Sequence, residues 1–169
     1  MLELIAQFMQ AGGEVLYLIA ALTFVMWMLI MERSWYYLVD LKKDRASALQ
    51  QWEARAERTS WAAHKIRLLL VSQVKLAIHQ HLPLIQAMVA LCPMFGLLGT
   101  VWGMIEVFNV MAVTGGGDVK AMASGVSKAT IPTMAGMVAA LSGLFASTFL
   151  KRMAEREITL LEDQLTMDH

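Results

Sequence analysis

The chain has 169 residues, 57% hydrophobic and only 17% charged, well above the apolar share of about 45–50% usual for a soluble domain. Its 14 Lys and Arg balance 14 Asp and Glu, which removes the electrostatic footprint of a nucleic-acid binder. The single Cys92 excludes an intrachain disulfide and, inside an apolar run, reads as a reduced, packed thiol.

Three uncharged stretches are long enough to cross a bilayer, which takes about 17–25 mostly apolar residues. Val15 to Met31 lies between Glu14 and Glu32, Leu82 to Ile105 between His81 and Glu106, and Ala129 to Leu150 between Lys128 and Lys151. No Lys or Arg precedes Arg33, so the first stretch lacks the basic start of a cleaved signal and is expected to stay as an anchor. The fold expected is an all-α membrane protein with three transmembrane helices, arranged as one domain over residues 1–169, with spans at 15–31, 82–113 and 118–150.

Basic residues give the orientation. None precedes the first span, nine fall in Glu32 to His81, two in Glu106 to Lys128 and three after Leu150. The positive-inside rule then places loop 32–81 and tail 151–169 in the cytoplasm and the N-terminus outside. Trp35, Tyr36 and Tyr37 follow Arg33 as an interfacial aromatic belt would. In the loop, Leu38, Leu41, Leu49 and Trp52 are interleaved with charges, and in the tail Ile158, Leu161 and Leu165 stand at helical spacing. Both segments are therefore expected to be helices that extend beyond the membrane and pack on neighbours.

Between spans two and three, Thr114-Gly115-Gly116-Gly117-Asp118 reads as a turn with Asp118 as N-cap of the last helix. The flanking helices form an antiparallel hairpin. Gly96, Gly99 and Gly103 on one side, and Gly136 with Ala140 and Ala139 with Gly143 and Ser147 on the other, are small residues that let membrane helices approach closely. Positions equidistant from the turn share a depth, which pairs Thr100 with Thr133 and Glu106 with Lys128. If the last helix starts at Asp118, Lys128 lies inside it. An intramembrane or pore-mouth ion pair between Glu106 and Lys128, which would place both residues along a proton path, and two separate charges snorkelling at the interface are both open from spacing. By spacing alone the threonine hydroxyls are expected to bond to their own helices.

His64, His79 and His81 have no carboxylate or cysteine arranged to complete a metal site. No nucleophile with its base, phosphate loop or carboxylate pair is present, so no catalytic residue, cofactor or enzymatic activity is expected.

The run Gly96-Leu97-Leu98-Gly99-Thr100-Val101-Trp102-Gly103, followed by Met122 to Ala140 with Thr130-Ile131-Pro132-Thr133 at its centre, resembles the MotA/TolQ/ExbB proton-channel family, most nearly its ExbB branch. The resemblance implies a homopentamer in the bacterial inner membrane, with spans two and three lining a pore around an ExbD-like dimer that supplies the titrating aspartate. Proton flow would drive a TonB-like protein for outer-membrane transport. Thr100 and Thr133 match the pore-facing threonines. Lys128 stands where ExbB-like chains usually carry glutamate, and Glu106 where they carry a neutral residue, so the charge is expected to have moved to the facing helix. A TolQ-like motor for envelope integrity, a non-conducting scaffold and a self-sufficient channel stay open. A MotA-like stator fits less well, because its cytoplasmic insertion is much larger than this 50-residue loop.

Overall fold

The computed structural model describes residues 3, 9, 12–54, 60–115 and 119–165. Five long helices account for nearly all of them: α1 (Gly13–Glu53), α2 (Trp61–His79), α3 (Leu82–Thr114), α4 (Val119–Ala129) and α5 (Ile131–Gln164). Three helical stretches, Gly13–Glu53, Trp61–Thr114 and Val119–Gln164, are long and apolar enough to cross a membrane. The expected N-cap Asp118, with Gly116 and Gly117, lies outside the described residues.

Contacts divide the chain into two compact units, one made of Met1–Trp27 with Gln86–Phe145, the other of Met28–Ile85 with Ala146–His169. In the first, the apolar unit, α3, α4 and α5 turn small residues inward: Cys92, Gly99, Ala129 and Gly136 are buried beside Leu16, Ile19 and Met26 of α1, while Met94, Leu97, Val101, Phe108, Val138 and Phe145 are exposed. Large apolar side chains on the outside suit a surface that meets lipid. Between lipid-solvated helices no hydrophobic force favours large residues over small at the contact.

The second, charged unit follows the opposite rule. Along α1, Ile30, Arg33, Tyr37, Leu41, Ala48 and Trp52 form one buried stripe; along α5 the stripe is Leu150, Ala154, Ile158, Leu161 and Leu165. The recurring three- and four-residue steps turn one helical face to a core and leave the charges other than Arg33 outside it. Of the loop residues expected to pack, Leu41 and Trp52 are buried, Leu49 is half-buried, and Leu38 is exposed. The three tail leucine and isoleucine positions are all buried.

Helix ends in this unit are closed by side chains from elsewhere in it. Ser60 caps α2 by accepting the Ala63 amide at 3.2 Å, as an N-cap serine does. At the other end of α2, Arg33 donates to the Ala77 carbonyl at 3.2 Å and the Tyr37 hydroxyl to the Ile78 carbonyl at 2.8 Å, satisfying two carbonyls that a helix leaves open. Arg67 likewise donates to the carbonyls of Glu162 and Leu165 at the end of α5. Gln80 then closes α2 and His81 adopts φ 65° before α3 begins with Leu82 and Pro83. That left-handed residue interrupts the helix between α2 and α3, which are separated by two residues.

The aromatic belt expected after Arg33 is only partly a surface feature. Trp35 is exposed, but Tyr37 is buried and Tyr36 donates to the Asp44 carboxylate at 2.6 Å. Burial pushes the Tyr37 phenol up to about 12 against a partial opposing pull from Arg33. Burial first, then the Asp44 carboxylate, raise Tyr36 as well.

Candidate functional site

The seam of the apolar unit is built from glycine. A Cβ added at Gly96 would lie 2.9 Å from the Cα of Thr133, and one at Gly103 would lie 2.6 Å from the Ala129 side chain. A Cβ at Gly136 would come 2.5 Å from the Cys92 carbonyl oxygen, and one at Gly99 would strike Pro132. Gly143 makes room for Met26, whose sulfur would be 2.5 Å from an added Cβ. All five glycines expected to pack therefore meet another helix, and the backbones of α3 and of α4 with α5 approach more closely than side chains would allow.

The register along this seam differs from the symmetrical hairpin. Thr133 faces Gly96, one helical turn before Thr100, and its hydroxyl donates across the seam to the Gly96 carbonyl at 2.9 Å. Thr100 donates to Leu97, within its own helix, at 2.7 Å. The expectation of a hydroxyl satisfied at home thus holds for Thr100, while Thr133 ties α5 to α3. Both threonines are half-buried.

The cause is a break in the last span. Helix α4 stops at Ala129 and α5 starts at Ile131, because Pro132 has no N–H for the carbonyl four residues back, at Lys128, and its ring crowds that carbonyl. Thr130 bridges the break, its hydroxyl donating to the Ser127 carbonyl at 2.8 Å and its amide to the same oxygen at 3.4 Å. Lys128 is consequently in the last turn of α4, where a cation meets the negative end of the helix, and not in the interior of a helix that begins at Asp118. Pro132 was the available signal, since proline is favoured in a first turn, although Pro93 is carried inside α3 without ending it.

Glu106 and Lys128 are both exposed, and among the described residues no ion pair joins them. They do line one cavity of about 510 Å³, together with Gly12 to Val15 of the α1 start and with Gly99, Gly103 and Gly125. Thr100 and Thr133 do not line it. Of the four polar residues singled out by sequence, Thr133 thus lies on the seam, Thr100 is bonded within α3, and the two charges line a cavity that includes α1. Sequence reasoning missed Glu14, which lines the same cavity; its signal was its place as the charge bordering span one.

Among the described residues no group of three or more His, Cys, Asp or Glu could hold a metal ion. Cys92 is a buried free thiol.

The sequence matches the profile of the MotA/TolQ/ExbB proton channel family over residues 43–163. It is 37% identical over 78 residues to an ExbB-like biopolymer transport protein of Synechocystis, covering 44% of this chain and 31% of that protein. It is 38% identical over 74 residues to biopolymer transport protein exbB1 of Vibrio cholerae, covering 43% and 32%. Against biopolymer transport protein ExbB of Helicobacter pylori it is 32% identical over 85 residues, covering 50% and 59%. The matched segments span from about a third to just under two thirds of the length of these relatives. With the family profile covering most of the chain and a glycine seam holding its apolar helices, the chain belongs to the MotA/TolQ/ExbB proton channel family.

Proposed function

We propose that the chain is the channel subunit of an ExbB-type motor in the bacterial inner membrane, using the proton motive force to energise TonB-dependent transport across the outer membrane. The N-terminus is outside, and the charged unit and tail are in the cytoplasm. Several copies, five by the family resemblance, surround an ExbD-like partner, and Thr100 and Thr133 face the proton path.

One observation carries the reading: spans two and three offer hydroxyls on a close glycine seam, yet no carboxylate lies within residues 82–105 or 129–150. A carboxylate or lysine deep in a bilayer is costly and marks a pathway when present. Its absence from these stretches makes a partner that brings the acid the natural complement. The threonines then serve as polar stations beside it. Because five copies around a dimer cannot all engage at once, the partner would meet the stations in turn.

Proton flux into liposomes tests the reading, comparing the full chain alone, with its ExbD-like partner, and with Thr133→Val plus partner. The expected result is flux that needs the partner and falls in Thr133→Val. Flux without the partner overturns the division of labour in favour of a self-sufficient channel. No flux from a preparation shown to contain the assembled complex, with TonB-like protein added, overturns conduction in favour of a scaffold.

A further inference from the structure

We propose that the cavity between the start of α1, the second half of α3 and the length of α4 is a binding site for the headgroup of an amine-bearing phospholipid, of the phosphoethanolamine class. Its three charges, Glu14, Glu106 and Lys128, are the charges that border the three uncharged stretches on one side of the membrane. With those stretches in the hydrocarbon core, the three charges would lie at headgroup level on one face of the bilayer.

The cavity, about 510 Å³, is within the range of ordinary small-molecule sites. Its apolar floor includes the buried Val15, Val107 and Ala129, and Trp102 stands exposed at its margin, as tryptophans do at headgroup level. All three charged side chains are exposed, and none makes an ion pair or side-chain hydrogen bond to a described residue. They are free to take a ligand.

Their signs select it. Two carboxylates and one ammonium complement a zwitterion that presents an ammonium to Glu14 and Glu106 and a phosphate to Lys128. A primary ammonium brings three N–H donors to carboxylate oxygens, whereas a quaternary choline brings none. An anionic glycerol headgroup would meet two like charges for each opposite one. Acyl chains would lie along the exposed Trp102 and Val110, which commits the site to a lipid over a soluble zwitterion. The proposal rests on the membrane spans and not on proton conduction, so it stands or falls separately from the motor reading.

The test is native mass spectrometry of the full-chain oligomer with dioctanoyl phosphatidylethanolamine, phosphatidylcholine and phosphatidylglycerol, and with soluble phosphoethanolamine. The ethanolamine lipid is expected to bind about tenfold more tightly than the other two, Lys128→Gln to lower its affinity about tenfold, the effect of losing one charge-assisted hydrogen bond, and the pair Glu14→Gln with Glu106→Gln, which loses two, to lower it by more than about tenfold. Equal affinity for the ethanolamine and choline lipids overturns the site, as does an unchanged affinity in both charge variants. Soluble phosphoethanolamine binding as tightly as the lipid overturns the lipid as occupant. Should the variants fail to assemble, the wild-type chain decides through quenching of its tryptophan fluorescence by tail-brominated lipids. With Trp102→Phe as reference, the Trp102 signal is expected to fall more with ethanolamine than with choline lipid, and equal quenching overturns the proposal.

Discussion

The apolar and charged units solve one problem, holding long helices side by side, with opposite materials. In the apolar unit the closest contacts are made where side chains are missing, at Gly96, Gly103 and Gly136, and many large residues of α3 and α5 turn outward, while Leu16, Ile19 and Met26 of α1 are buried. In the charged unit Trp52, Ile78, Leu161 and Leu165 fill the inside, and polar side chains close the helix ends. The difference teaches how the surroundings choose the glue. Water rewards burying area, at roughly 25 cal/mol per Å², whereas between lipid-solvated helices only closer packing and hydrogen bonds are gained.

The comparison is broken most forcefully in the charged unit. Trp52→Ala removes a side chain that is 2% exposed and should cost about 3–5 kcal/mol, the usual range for a buried aromatic, read from denaturant unfolding of the purified chain followed at residues of that unit. Next comes the reverse operation in the apolar unit. Gly136→Ala places a methyl against the Cys92 carbonyl and should cost about 1–3 kcal/mol through forced separation of α3 and α5, although alanine is the better helix former. A stabilised Gly136→Ala protein would show that the seam can open without penalty.

Smaller effects sharpen the account of the helix ends. Tyr37→Phe should cost about 0.5–1.5 kcal/mol at neutral pH by removing the bond to Ile78. The folded phenol is raised to about 12 from an ordinary 10, so its contribution is complete below pH 10 and disappears as pH climbs through about 12. An alkaline stability profile should show a smaller loss in Tyr37→Phe than in the wild-type chain, the remainder coming from the also-raised Tyr36. The least effect is expected from Arg45 and Glu157, paired at 3.1 Å and partly exposed. A double-mutant cycle there should return about 0.2–1 kcal/mol, diminishing with salt.

Much of this division can be read along the chain. The three uncharged stretches locate the apolar helices, and the small residues at four-residue spacing locate the seam, because both depend only on local composition and helical period. The buried tail positions Ile158, Leu161 and Leu165 follow from the same period. What could not be read depends on distant partners. Nothing near Arg33 in sequence says that it caps a helix 44 residues on, or that Tyr36 and Tyr37 would turn inward from the expected belt. The pairing of Thr133 with Gly96 in place of Thr100 needed the break at Thr130, and a symmetrical hairpin assumes two unbroken helices. Pro132 carried that information, but apolar composition on both sides of it favours one continuous span.

The two threonine hydroxyls have already spent their hydrogens, Thr133 on Gly96 and Thr100 on Leu97. Each is left with lone pairs alone to offer. A visiting group must then bring its own hydrogen to be held, which a neutral carboxylic acid does and an ionised carboxylate does not. On the proposed reading, in which these threonines face a proton path, the two hydroxyls would distinguish a loaded carrier from an empty one, a form of recognition that needs no charge on the wall itself.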